Sequence, residues 1–132
     1  MDEASREFVR ARAADVCEYC RLPKASSGLL PFHVDHVRAR QHRGTDGPDN
    51  LCYACSWCNL FKGPNLTSYD PETDTIVRLF NPRTDLWDEH FWMDGAEIVG
   101  ATPQGRATVA LLQMNDDRRV RLRNELRAPT DA

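Results

Sequence analysis

Two cysteine pairs of identical spacing, Cys17-Glu-Tyr-Cys20 and Cys55-Ser-Trp-Cys58, constrain this chain more than any other feature. A pair at that spacing can turn both thiolates toward one ion, and two pairs complete a closed tetrahedral zinc site. Five cysteines are present in all, an odd number that argues against a disulfide framework. The opening residues, Met1 to Arg6, have neither the basic nor the apolar region of an export signal. A cytoplasmic location, where thiols stay reduced, is therefore expected. A redox use of CxxC needs a βαβ setting that the sequence lacks. Structural Zn²⁺ held by Cys17, Cys20, Cys55 and Cys58 is the expectation. Cys52-Tyr-Ala-Cys55 offers a competing frame, so Cys52 is the one alternative ligand.

The staple matters because the core is thin. With 132 residues, 41% of them apolar, the chain suits one domain, residues 1–132, of modest burial. A zinc site can add ~10 kcal/mol of apparent free energy to such a fold. The 34 residues between Cys20 and Cys55 leave room for an inserted hairpin whose base the ion would clamp. No apolar run approaches the ~18 residues of a membrane span, so no membrane partner is expected.

A net charge of −3 excludes a globally basic nucleic-acid coat. The balance is uneven, however. Residues 69–97 hold eight acids and two bases, whereas residues 33–68 and 98–132 are each slightly basic. A polyanion can still meet a locally basic face.

Along the chain, Ser5 is placed to cap a helix reaching roughly Cys17, with Phe8, Val9, Ala13 and Val16 as its apolar stripe. Residues 21–28 read as loop. A strand follows over 29–37, best at Phe32–Val37 beyond Pro31. Residues 38–49 are polar, hold Gly44, Gly47 and Pro48, and predict a long loop. Leu51 to Ala54 suits a returning strand and Ser56 to Lys62 a short helix stopped at Gly63-Pro64. Farther on, Thr75–Phe80 alternates as a strand, and His90–Val99 suits a hairpin turning at Asp94-Gly95. Thr102-Pro103 opens a helix toward Met114. Asp116 or Asp117 caps a last helix ending before Pro129.

The chemistry concentrates in His33-Val-Asp35-His36, then Asn50, then Cys58-Asn59-Leu-Phe-Lys62. Asp35 and His36 are neighbours on a strand and point to opposite faces, so they suit different tasks. Phosphodiester hydrolysis needs a group that deprotonates water and a cation that stabilises phosphate charge. An imidazole suits the first task. The carboxylate of Asp35 and the amide oxygen of Asn59 suit a hard divalent ion, Mg²⁺ or Mn²⁺.

These residues together resemble the HNH endonucleases, and specifically a zinc-stapled branch with CxxC before the Asp-His pair and CxxCN after it. Asn50 and Asn59 follow His36 by 14 and 23 residues, a spacing similar to that family's. The resemblance covers about residues 17–64. It implies an α+β fold: a zinc-stapled ββα-metal (His-Me finger) nuclease core, with an N-terminal helix and a C-terminal β-hairpin plus helices. It implies cleavage of DNA, expected to be double-stranded, leaving a 5′ phosphate and a 3′ hydroxyl. His36 would be the general base, and Asp35 and Asn59 would hold the catalytic ion. Asn50 would position His36 or tighten the loop, and Lys62 would face the phosphate. Where this chain has Asn59, many members have His. Cys55 with Cys58 is favoured over the Cys52 frame because Asn59 follows directly, leaving Cys52 as a buried strand residue.

Residues 65–132 resemble a C-terminal extension of small bacterial HNH proteins, through Leu79-Phe-Asn-Pro-Arg83, Trp87 to Phe91 and Gly105 to Val109. Arg40 and His42 are candidates for phosphate contact. His33 shares a strand face with Asp35 and could assist the metal site, although a core or hydrogen-bonding role is favoured, and His90 reads as structural. Arg118, Arg119, Arg121 and Arg123 read as a solvated helix face or a DNA contact. The rival to a nuclease is a zinc-stapled nucleic-acid- or protein-binding module with a weak or silent centre.

Overall fold

Asp2, rather than Ser5, starts the first helix in a computed structural model that describes residues 1–127. Its carboxylate accepts from the Ser5 N–H at 2.8 Å, so α1 runs Glu3–Arg12. The helix stops short of Cys17 because Ala14 and Asp15 adopt left-handed backbone, φ 55° and 58°. A right-handed helix cannot continue through two such residues. The chain instead closes a tight loop, with the Cys17 N–H donating to the Leu22 carbonyl at 2.9 Å and Val16 bridging to Pro23. Cys17 and Cys20 sit inside that loop and are buried.

The expected strand, loop, strand, helix order is present. β1 (Phe32–His36) pairs antiparallel with β2 (Leu51–Cys55), with Asp35 opposite Cys52 and His36 opposite Leu51. The connection carries two single turns, Arg40–His42 and Pro48–Asn50. α2 (Ser56–Lys62) follows β2 with no intervening residue. Its cap is Cys55, whose sulfur accepts from the Cys58 N–H at 3.4 Å. Gly63, at φ 49°, ends it in backbone that a side chain would strain.

Two elements escape the sequence pattern. β3 (Thr67–Asp70) is polar and half-exposed, so no apolar alternation marks it, yet it pairs with β4 (Thr75–Arg78). α3 (Trp87–His90) is a single turn that removes His90 from the following hairpin. That hairpin joins β5 (Phe91–Asp94) to β6 (Glu97–Gly100) and turns at Gly95-Ala96, one residue later than expected. α4 (Pro103–Leu111) is capped by the Thr102 hydroxyl, which accepts from the Gly105 N–H at 3.0 Å. It ends before Met114 because Gln113 takes φ 50°. Gly105 lets α4 lie against the chain at His90, whose carbonyl oxygen would sit 2.0 Å from any added Cβ. α5 (Asp117–Arg127) begins where the Asp116 carboxylate accepts from the Arg119 N–H at 3.0 Å. The expected end before Pro129 lies outside the described residues.

The architecture is α+β, with three two-stranded antiparallel sheets among the described residues. The main apolar cluster centres on the cysteines. Tyr19 and Leu22 reach it from the N-terminal loop, and Phe80, Trp87, Phe91, Ile98, Leu112 and Met114 from residues 65–127. The C-terminal segment thus wraps the cysteine loops, and the Trp87 indole donates to the Tyr19 carbonyl at 2.8 Å. A bidentate ion pair from Arg106 to Asp70, at 2.9 and 2.8 Å, ties α4 to β3 and holds the Asp70 carboxyl far below its usual range. No described helix is long and apolar enough to cross a membrane.

Candidate metal centre and active site

The first cysteine loop and the β2–α2 junction bring Cys17, Cys20, Cys55 and Cys58 together. Their four sulfurs lie within 4.8 Å of one another and all four residues are buried. The Cys20 and Cys55 sulfurs are 3.7 Å apart, far beyond a disulfide bond. That distance matches the ~3.8 Å edge of a tetrahedron built on Zn–S bonds of about 2.3 Å. The backbone N–H groups of Cys20 and Cys58 each donate to the sulfur three residues earlier, at 3.4 Å, which orients the lone pairs inward. The cluster fits a metal such as zinc.

Cys52 stands outside it. Its thiol faces the Tyr19 hydroxyl at 3.7 Å, and burial, aided by the nearby Asp35 charge, pushes its pKa up to about 12. A thiol held protonated is a poor metal ligand.

On β1, Asp35 is half-buried, with a side chain 14% exposed, and its Oδ2 has no hydrogen-bond partner among the described residues. Burial raises its pKa against the pull of the Lys62 ammonium 3.9 Å away. An orphaned, buried carboxylate oxygen fits a hard cation. Asn59 lies on α2 one turn before Lys62, and residues three apart share a helix face, so it belongs to the face that Lys62 turns toward Asp35.

Lys62 is turned inward. It is 2% exposed, and its ammonium donates to the carbonyls of His36 and Gly63, each at 3.3 Å. Asn50 serves the loop: its Oδ1 accepts from the Arg38 N–H, and its Nδ2 donates to the carbonyls of Arg38 and Thr45. Of the two roles open to it, this geometry is the tightening one, since its side chain makes no described hydrogen bond to His36.

Residues 17–65, the segment holding all of these groups, match the family model described as HNH endonuclease. The match spans 49 of the 132 residues and takes in all four clustered cysteines. A search of curated proteins finds no match, and neither does a search of solved structures.

Within the matched segment and beyond it, the structure adds two residues that sequence reasoning misses. Asp46, in the loop, accepts a hydrogen bond from His36 Nε2 at 2.7 Å and a fork from Arg40 at 3.0 Å. The bonds from His36 first, then Arg40, hold the Asp46 carboxyl below its usual range. Arg40, a candidate for phosphate contact, is thus already paired. Loop length alone gives no hint of which acid folds back onto His36. His42 is half-buried in the same loop. His33 bonds the Ser56 hydroxyl at 3.0 Å, and His90 bonds Thr102 and packs on Phe80.

The second missed residue is Arg119. A solvated helix face holds for only part of the arginine cluster, because Arg119 and Arg123 are buried. Arg119 donates to the Cys58 sulfur at 3.2 Å and to Asp116 at 2.8 Å, and also bonds the carbonyls of Leu112 and Gln113. Trp57 and Phe61 flank its guanidinium. Arg123 bonds the carbonyls of Ala96 and Met114, and Arg118 stacks on Trp57. A guanidinium against a thiolate cluster offsets the cluster's surplus negative charge. Arg119→Met leaves Asp116 and two carbonyls without their partner, so thermal unfolding should show a loss of about 3 kcal/mol. Arg121→Met, on an exposed position, should change stability by under about 0.5 kcal/mol.

Proposed function

We propose that the chain is a metal-dependent DNA endonuclease, a single HNH domain whose β1–β2–α2 unit is a zinc-stapled ββα-metal core. The observation that carries the reading is the orphaned Asp35 oxygen beside His36 within the HNH segment. Asp35 and Asn59 would hold Mg²⁺ or Mn²⁺ with oxygen atoms alone. Such an ion supplies charge stabilisation at the phosphate and at the departing 3′ oxygen. His36 takes the proton from the attacking water. A carboxylate only accepts hydrogen bonds, so Asp46 fixes the imidazole hydrogen on Nε2 and leaves the Nδ1 lone pair for that task. Lys62 keeps Asp35 company beneath the strand and anchors the His36 backbone. Double-stranded DNA in a cytoplasmic setting is the proposed substrate context.

Plasmid nicking tests this directly. Supercoiled DNA should relax on adding Mg²⁺ or Mn²⁺ and stay intact when divalent ions are chelated. DNA binding without nicking under any divalent ion would instead favour a zinc-stapled binding module with a silent centre.

A further inference from the structure

A cavity of about 820 Å³ opens beside the HNH centre, between the 37–50 loop, the end of α2 and the β4 strand with the residues that follow it. It shares Asn50 and Lys62 with the site described above. Its charged lining has one sign. Arg38, Arg43, Lys62 and Arg78 line it with His42, and no Asp or Glu does. Chance does not favour that outcome in a chain of net charge −3. The 69–97 segment has eight acids and two bases, yet it contributes one of those bases, Arg78, and none of the acids.

Three of these four cations lack a carboxylate partner. Among the described residues, Arg38, Arg43 and Arg78 have no carboxylate within 4.0 Å, whereas Arg10, Arg40, Arg83, Arg106 and Arg119 are all paired. All three are exposed; Arg38 spends only its Nε–H, on the His42 carbonyl at 2.5 Å, and its terminal nitrogens face solvent like the guanidiniums of Arg43 and Arg78. Like charges gathered without counter-ions repel, a penalty that an anionic ligand removes. Guanidinium forks match phosphate oxygens in shape as well as in charge.

We propose that this cavity seats the sugar-phosphate backbone of a nucleic-acid strand, with Arg78 of the C-terminal segment supplying a wall that the HNH segment lacks. The proposal rests on the nuclease reading and gives residues 65–127 a task beyond packing: they complete the substrate groove. Backbone contacts position a strand without reading its sequence, so the groove confers affinity and register rather than base preference.

The test uses the full chain carrying His36→Ala, without added divalent ions, and a labelled duplex of arbitrary sequence. Anisotropy is followed between about 50 and 200 mM salt. Adding Arg43→Gln and Arg78→Gln together should weaken binding at least tenfold at the lower salt. It should also flatten the slope of log K against log salt by about 2, close to one unit for each phosphate no longer neutralised. Zinc content and melting temperature should not change. Arg6→Gln, an exposed arginine on α1 outside the groove, should change neither affinity nor slope. An unaltered affinity and slope on adding the two glutamines, while the chain with His36 intact still nicks plasmid, would overturn the groove alone. Absence of binding by the His36→Ala chain together with absence of nicking by the chain with His36 intact would overturn the groove and the nuclease reading together. Competition by a mononucleotide or inorganic phosphate as strong as by the duplex would also overturn it, making the cavity a small-anion pocket.

Discussion

Replacing His36 with alanine should lower the cleavage rate by about 10³-fold, within the range that a positioned general base contributes. Zinc content and DNA affinity should stay near those of the parent, because the imidazole is half-buried outside the cysteine cluster and its one hydrogen bond among the described residues is to the loop acid Asp46. Asp35→Ala should differ in kind. It removes the only charged oxygen of the proposed ion site, so the divalent-ion concentration needed for activity should rise steeply or activity should vanish. Should both variants alter only the ion requirement, His36 would be a ligand and not the base. Asp46 refines the same experiment. Asp46→Asn substitutes an amide that can donate to Nε2, which favours the tautomer with its hydrogen on Nδ1 and blocks the base. Asp46→Ala removes orientation without imposing that tautomer. The asparagine variant should therefore lose about 10²-fold or more and be the worse of the two. Equal, small losses in both would show that the Asp46 bond has no part in the chemistry.

Removing the cysteine-bound metal should unfold the protein. A core of this size with four thiols converging within 4.8 Å depends on an ion to hold them, and ~10 kcal/mol of apparent folding energy is at stake. Strong chelation should abolish near-ultraviolet circular dichroism, and Cys58→Ser should lose both zinc and the cooperative melt. Cys52→Ala should keep one zinc per chain, since its thiol sits on Tyr19 and outside the cluster. Purified protein without zinc, or a Cys58→Ser variant melting normally, would rule out the staple. The two experiments separate cleanly. Loss of the staple removes structure and activity together, while loss of His36 removes activity alone.

Much of the fold and the site is legible in the sequence because it is local. The CxxC spacing, the Asp35-His36 pair and the short run from Cys55 to Gly63 are read within ten residues. Their geometry follows from a strand's alternation and a helix's turn. Gly63 ends α2 where expected, and Thr102-Pro103 starts α4 where expected, because caps depend on single residues. Asp2 displaces Ser5 as the first cap for the converse reason: several polar residues near a helix start can cap it, and only the backbone path selects one.

Tertiary structure decides what depends on distant partners. Asp46 meets His36 only because Asn50 pins the loop through three hydrogen bonds. Lys62 is buried beside Asp35, an ion pair across 27 residues that its place on a short helix does not reveal. Arg119 lies 61 residues from Cys58, and nothing in an arginine-rich helix marks which guanidinium turns to the sulfur. β3 forms because β4 offers it a ladder, since its own side chains carry no pattern. The groove is likewise a product of folding, for Arg78 joins Arg38 and Arg43 only when the C-terminal segment packs on the cysteine loops. Sequence determines which residue types and local turns are available. Burial and long-range pairing, whose energies depend on three-dimensional neighbours, determine what each charge finally faces.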